Sequence, residues 1–325
     1  NGESISYKHT YTGTLDAGYA QFTTVLHGGF DGFDIRERDP FRMSTAFADA
    51  SNEDSSYQLH TLRKAVNLVS DAEQVEMNLA SMPGITHNGA TEYLLDTCED
   101  RGDALAVIDI QKVYTPDTEN ASAEADRNAF TVQQAADTLK DRDLNTSYGA
   151  TYYPWVRIRD SISNRTLWAP PSIAAIGAYS STDNKTAPWF APAGFARGGL
   201  TDGAAGIPVL DVSRRLTSDE RDTLYQNNIN PIAKFPAEGI VIFGQKTLQQ
   251  TRSALDRINV RRLMIFLKRE ISFIASRLLF APNVPDTWAR FTGQATPILD
   301  KVKAQFGIDE FRLFLDETTT TPDLI

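Results

Sequence analysis

The chain has 325 residues, enough to bury a substantial core as one large domain or two smaller ones. Hydrophobic residues make up 41% and aromatic residues 10%, which excludes disorder for most of the chain. A net charge of −10 opposes nucleic acid and anionic membranes unless a local basic patch overrides it, and a single cysteine, Cys98, excludes internal disulfides and Cys/His zinc sites.

Residues 5–34 alternate apolar and polar side chains (Ile5, Tyr7, then Tyr19, Phe22, Val25) and end in Gly28-Gly29-Phe30-Asp31-Gly32. Period-two patterning closed by a glycine-rich turn predicts β-hairpin material. Residues 35–57, with Pro40 and Asn52-Glu53-Asp54, read as a loop or boundary. Leu59, Leu62, Val66 and Val69 predict a helix over 58–71. A strand over 75–82 follows, then a helix capped by Asn88 that runs to about Asp100 and stops at Gly102. The apolar run 104–110 predicts a strand buried on both faces, reached by a right-handed crossover onto a parallel neighbour.

Residues 114–129 are polar and predict an exposed loop, and 131–140 a helix. An aromatic strand is expected over 150–158, around Tyr152-Tyr153-Pro154-Trp155-Val156. Pro170-Pro171 open a helix through Tyr179, since proline is tolerated in a first turn. A long Gly/Pro/Ala-rich loop spans 183–206. Ser218 caps a helix to about Tyr225, and short strands fall at 232–235 and 240–243. The clearest helix is 257–280, where Val260, Met264, Leu267, Ile271, Ile274 and Leu278 make one apolar stripe. A helix over 286–305 and a strand over 311–315 complete the pattern. Alternating strands and helices imply an α/β layer structure, a mixed β-sheet flanked by helices with a β-rich segment before it.

No signal peptide opens the sequence, and no apolar run approaches the roughly 20 residues of a helical membrane span. The chain starts at Asn1 without an initiator Met and stops soon after a strand-like run, so a fragment of a longer protein is expected.

Signals for chemistry are sparse. G-x-S-x-G, G-x-G-x-x-G and the Walker loop are missing, and 82–89 is a turn rather than a phosphate cradle. Cys98 sits late in a helix, where a buried structural thiol is the simpler reading. His87 follows a strand end, the place where α/β enzymes put their sites, and it supports the alternative of an enzyme with a site near His87. Asp31, Asp34, Glu37 and Asp39 lack the spacing of a calcium loop, so no metal and no cofactor is assigned. The sequons at Asn120, Asn145, Asn164 and Asn184 carry no meaning without a secretory signal. The basic run Arg257, Arg261, Arg262, Lys268 and Arg269 is either a polar helix face, paired with Asp256 and Glu270, or a contact for an acidic partner. No aromatic interleaving suits it to single-stranded nucleic acid.

Several stretches, in order, resemble the conserved core of contractile tail sheath proteins. These are 150–156, Ala169-Pro170-Pro171-Ser172 with Gly177 and Tyr179, Thr182-Asp183, Trp189 and Ala191-Pro192-Ala193-Gly194 with Arg197-Gly198. Then come Asn228-Ile229-Asn230-Pro231, 239–247, 257–263, Phe280-Ala281-Pro282-Asn283 and Trp288. The order and spacing over about 145–316 carry the likeness; from 35 to 144 it is one of pattern. The resemblance implies a non-enzymatic virion subunit, with a giant-genome phage fitting as source. It would stack with copies of itself around a tail tube, assemble in the host cytoplasm with baseplate and tail terminator proteins, and contact neither nucleic acid nor membrane. A sheath from a non-phage contractile injection system is the further alternative.

By the same resemblance, 1–34 would end a preceding β-rich insertion domain, and 35–325 would be the sheath core without its C-terminal arm. The arms tie neighbours together by strand addition, so without them a monomer is expected. Tyr153 and Trp155 would pack the core, Pro170 and Pro171 fix a helix start, and Arg261 or Arg262 form an ion pair positioning the long helix. Trp288 belongs to the same motif set. Asp300, Lys301 and Lys303 are the candidate contacts to tube or neighbour.

Overall fold

The structure, a computed structural model, describes residues 41, 56–120, 122–160, 164–201, 206 and 208–315, all in the unit that begins at Phe41. The hairpin expected at 5–34, the acidic set from Asp31 to Asp39, and all of the loop or boundary expected at 35–57 except Phe41, Ser56 and Tyr57 lie outside the described residues.

Helix α1 (Tyr57–Leu68) starts at Ser56, whose Oγ accepts from the Leu59 N–H, and buries Leu59, Leu62 and Val66. Strand β1 is only Leu79–Ser81, shorter than the expected 75–82. The Val75 carbonyl accepts from the Arg101 guanidinium at 2.8 Å instead of from a ladder partner. Helix α2 (Asn88–Arg101) is capped by His87 rather than Asn88: His87 Nδ1 accepts from the Ala90 N–H at 3.3 Å. Gly102, at φ 66°, closes it. Strand β2 (Leu105–Ile108) is buried at every position. The segment expected to be a loop at 114–129 contains a one-turn helix α3 (Glu124–Arg127), and α4 (Val132–Lys140) follows behind a Thr131–Gln134 capping box.

The aromatic strand expected at 150–158 is two strands. β3 (Gly149–Tyr153) ends at the cis Tyr153–Pro154 bond, and β4 (Val156–Arg159) belongs to a different sheet. Pro154 has no N–H to donate and cannot continue a ladder. β5 (Thr166–Ala169) returns beside β4. Helix α5 (Pro171–Lys185) runs well past Tyr179 into the expected loop. β6 (Val209–Val212) was not anticipated. Thr217, not Ser218, caps α6 (Ser218–Gln226), in a capping box with Glu220. β7 (Asn230–Phe235) and β8 (Gly239–Ile242) form a hairpin. Helix α7 (Ile258–Ser276) is shorter than the expected 257–280, with the chain leaving the helical region by Phe280 at φ 65°. Helix α8 is Pro285–Ala304. Residues 311–315 are irregular and pair with no described strand, so the strand expected there is absent.

The main sheet has the order β1-β2-β3-β7-β8. Its first four strands are parallel and β8 is antiparallel. The smaller sheet, β5-β4-β6, is antiparallel. Alternation along the parallel strands divides the core. Ala106, Ile108 and Tyr153 face Leu94 and Leu95 of α2 and Ala135 and Leu139 of α4. Leu105, Val107 and Tyr152 face Ala174 and Ala178 of α5 and Ile258 and Ile265 of α7. Helices on both faces explain why β2 is an uninterrupted apolar run. Gly149 is required where β3 passes beneath α2, because a Cβ there would overlap Leu95 and Leu248.

A buried carboxylate lies where β2 ends. Asp109 Oδ2 accepts from the Gly84 N–H at 2.9 Å and the Ser172 hydroxyl at 2.7 Å, and Oδ1 accepts from the Ser172 N–H at 3.3 Å. It therefore binds the turn after β1 to the first turn of α5, where free amides favour an anion. Burial pushes its pKa from 3.8 to about 6, against the opposing pull of these hydrogen bonds. Between these two values the folded protein holds a proton that the unfolded chain has released, so stability falls as pH rises through that window. Denaturant unfolding at a series of pH values should show this slope in the wild type and its loss in Asp109→Asn; identical slopes would refute the assignment. Ser172→Ala should cost about 2 kcal/mol at neutral pH, the usual loss for a hydrogen bond to a charged group.

Candidate functional site

The polar centre of the molecule joins three elements. From β3, Tyr152 shares a 2.6 Å hydrogen bond between hydroxyls with Tyr179 of α5, the rings meeting edge to face at 6.4 Å. The Arg262 guanidinium of α7 lies 4.9 Å from the Tyr179 ring centroid and donates from Nη2 to Asp183 Oδ2 at 2.6 Å. Arg262 is only 4% exposed. Burial raises the Tyr179 phenol to about 12 and raises Tyr152 well above its ordinary value, so both stay neutral at physiological pH. This arrangement fixes α7 against α5 and the sheet.

The two arginines expected to position the long helix take different roles. Arg262 holds the carboxylate. Arg261 lies 4.0 Å from the Tyr148 ring centroid, donates to Ser147, and has its pKa lowered by burial. The rest of the basic run also engages this chain. Arg257 pairs with Asp256 at 3.2 Å and donates to Tyr225, Lys268 donates to the Arg101 carbonyl at 3.4 Å, and Arg269 pairs with Glu76.

The other predicted residues lie apart from this centre. Tyr153 and Trp155 are buried in the cluster beneath α2 and α4, with Trp155 against Tyr114 at 5.2 Å. Pro170 is the residue before α5 and Pro171 its first helical position. Half-buried Trp288 donates from Nε1 to Asn283 Oδ1 at 2.5 Å, joining α8 to the preceding loop. Asp300, Lys301 and Lys303 are exposed on α8. The opposite side of that helix buries Ala295, Leu299 and Val302. Val302 joins Leu263 of α7 and Trp189 in a separate cluster, and Trp189 Nε1 donates to the Gln305 carbonyl at 3.1 Å.

Asp109, Tyr152, Tyr179 and Asp183 were not singled out by function. Asp109 carried a signal, a lone acid at the end of an apolar run; Asp183 stood in the resembling stretch Thr182-Asp183, but its pairing carried no local signal, since its partner lies 79 residues away. The enzyme alternative finds little support. His87 is buried, uses Nδ1 as a helix cap, and borders a pocket of about 270 Å³ with Lys112, Tyr114 and Trp155. Burial pushes the Cys98 thiol up to about 12, the reverse of what a nucleophile needs. Among the described residues no group of three or more His, Cys, Asp or Glu side chains could hold a metal.

Comparison with known proteins gives a consistent result. A sequence model described as the phage tail sheath protein central domain matches residues 60–248. The tail sheath protein of Vibrio phage KVP40 is 37% identical over 183 residues, 56% of this chain and 26% of that protein. That of Enterobacteria phage T4 is 32% identical over 200 residues, 61% of this chain and 29% of that protein. The matched segment thus spans little more than a quarter of either relative. Among solved structures, the fold resembles a chain of the anti-feeding prophage baseplate, with a TM-score of 0.59, 21% identity, and 84% of this chain and 66% of that one covered. It also resembles a chain of the PVC sheath complex of an extracellular contractile injection system in its contracted state, with a TM-score of 0.58, 20% identity and coverage of 80% and 67%.

Arg262→Met should destabilise the protein by about 3 kcal/mol, because it strands Asp183 and removes the cation from Tyr179. Arg261→Met, which breaks no ion pair to a carboxylate, should cost about 1 kcal/mol. Denaturant unfolding of both, with a double-mutant cycle to Asp183→Asn, measures the difference; equal losses and no coupling to Asp183 would contradict these roles.

Proposed function

The chain belongs to the phage tail sheath protein family, and from that premise we propose that it is a structural subunit of a contractile tail sheath. Copies stack around a tail tube in rings or helical rows, and contraction of the lattice drives the tube through the host envelope. The family match over 60–248 carries this reading, because it spans every strand of the main sheet together with α2, α4 and α5. The subunit performs no covalent chemistry. Its work comes from a metastable extended lattice relaxing to a contracted one of lower free energy.

The proposed partners are further copies of itself, the tail tube, the baseplate and the tail terminator, with no role for nucleic acid or membrane. Its place is the virion tail, assembled in the host cytoplasm. In this reading 1–34 ends a β-rich insertion domain and 35–325 is the sheath core. Two physical features support it. The body is stiff, because buried polar pairs connect sheet and helices as Asp109 and Arg262 do. The exposed residues of α8 leave a charged surface on a helix already anchored by its apolar side.

The fold likeness to injection-system chains favours a second reading, a sheath of a non-phage device; the higher sequence identity to phage proteins favours the first.

Electron microscopy of the full-length protein should show hollow cylinders or polysheaths, and persistently monomeric protein under assembly conditions would overturn the proposal. Asp300, Lys301 and Lys303 are proposed to face the tube. Lys301→Glu with Lys303→Glu should weaken sheath–tube binding and leave the melting temperature unchanged, as expected for exposed residues. Wild-type assembly on tubes would remove that surface from consideration.

A further inference from the structure

A basic groove of about 720 Å³ opens between the C-terminal ends of α4 and α6 and the segment leading into α7. Lys140, Lys246, Arg252 and Arg257 line it, against Asp143 and Asp256. Both carboxylates are engaged: Asp256 pairs with Arg257 at 3.2 Å, and Asp143 accepts from Gln250 Nε2 at 3.0 Å. Among the described residues, no carboxylate lies within ion-pair distance of Lys140, Lys246 or Arg252. Tyr225 gathers the cations, with Lys246 Nζ 4.6 Å and the Arg257 guanidinium 5.8 Å from its ring centroid. Burial, and then the neighbouring Arg257 and Arg252, lower the Lys246 pKa. Like charges are thus held together on a protein whose net charge is −10.

The opposite imbalance occurs elsewhere on the chain. Helix α2 presents Glu92, Asp96, Glu99 and Asp100, spaced as successive turns of one side; Glu92 and Asp96 also border a pocket that holds Arg63, Lys112 and Arg142, so the unbalanced acidic part of the ridge is at Asp96 and Asp100. Glu92 pairs with Arg142 at 3.3 Å, and Glu99 accepts from the Thr146 hydroxyl at 2.5 Å. Asp96 and Asp100 are exposed and have no ion-pair partner among the described residues. Partial burial and the surrounding Glu92, Asp100 and Glu99 raise the Asp96 pKa, so the ridge repels itself as the groove does.

We infer that the basic groove receives the acidic α2 ridge of a second copy, in a head-to-tail contact. This rests on the sheath reading above. A groove and a ridge are different surfaces, so the contact is heterologous, and repeating it gives a ring or an open helix rather than a closed pair. Exposed charge pairs are individually weak, so a single contact is breakable, while many copies in a lattice add up. Such contacts suit a lattice that must hold and then rearrange.

The test uses the full-length protein and two charge-reversed variants, Lys246→Glu/Arg252→Glu in the groove and Asp96→Lys/Asp100→Lys on the ridge. Each alone should slow assembly at low salt at least about tenfold, the scale of electrostatic steering, with an unchanged melting temperature. Mixed together, the two should co-assemble, because each supplies the surface the other has lost. Wild-type rates for either variant, or failure of the mixture to assemble, overturns the inference. Slowed assembly of the groove variant beside wild-type assembly of the ridge variant does so too, since it would assign the groove to another acidic partner or a free anion. If a reversal lowers the melting temperature, Lys246→Gln/Arg252→Gln replaces it. A reduced dependence of assembly rate on salt is then expected, and an unchanged dependence is the contrary result. Absence of cylinders from the wild type would count against the sheath reading itself, a distinguishable failure.

Discussion

The placement of the helices depends on one buried carboxylate. Asp109 accepts from Gly84 in the turn after β1 and from both the backbone and the hydroxyl of Ser172. It fixes where α5 begins relative to the parallel strands. From that start, α5 delivers Tyr179 and Asp183 to the places where they meet Tyr152 and Arg262. Arg262 in turn locks α7, which shares a cluster with α8. A polar contact at a strand end therefore propagates through two helices to the exposed surface of a third. Its burial is costly, and the surrounding donors offset only part of that cost.

Much of this was legible in the sequence where period and burial coincide. The unbroken run at β2 marks a strand covered on both faces, and α7 was legible as a helix, but its buried positions are Ile258, Arg262, Leu263, Ile265 and Ile274, so of the stripe expected from Val260 to Leu278 only Ile274 is buried and Met264 is exposed. Reading failed where one residue overruled its neighbours. Around Pro154 the aromatic side chains look continuous, yet the missing N–H ends one sheet and the chain enters another. The capping box at Thr217–Glu220 was present as a pattern and locates its helix start better than Ser218 did. An ion pair from Arg261 or Arg262 was expected, but its partner Asp183 was out of reach, because nothing local to either residue announces a partner so distant in sequence.

The charges divide by depth. Inside, ions are few and individually matched: Asp109 by its amide and hydroxyl donors, Arg262 by a carboxylate and a phenol ring, Arg101 by Asp103 at 2.8 Å and two carbonyls. Removing one partner leaves the other stranded, so these contacts define a single arrangement. Outside, on α2, on α8 and around the groove at Tyr225, charge is exposed or unbalanced. Groups of that kind exchange partners at small cost. The same residue types thus keep the body fixed at depth and leave its surface free to change neighbours.

The two-residue link between the sheets has a mechanical meaning. Only Pro154 and Trp155 separate β3 from β4, just as Pro170 alone separates β5 from α5, so force carried through the first of these links arrives as tension on the end of β3. That strand is held on both sides by parallel ladders, to β2 and to β7. Tension along a strand so placed loads its hydrogen bonds in shear, together rather than one after another as in peeling. One of the paths by which the smaller sheet would pull on the body therefore runs through the arrangement that resists tearing best.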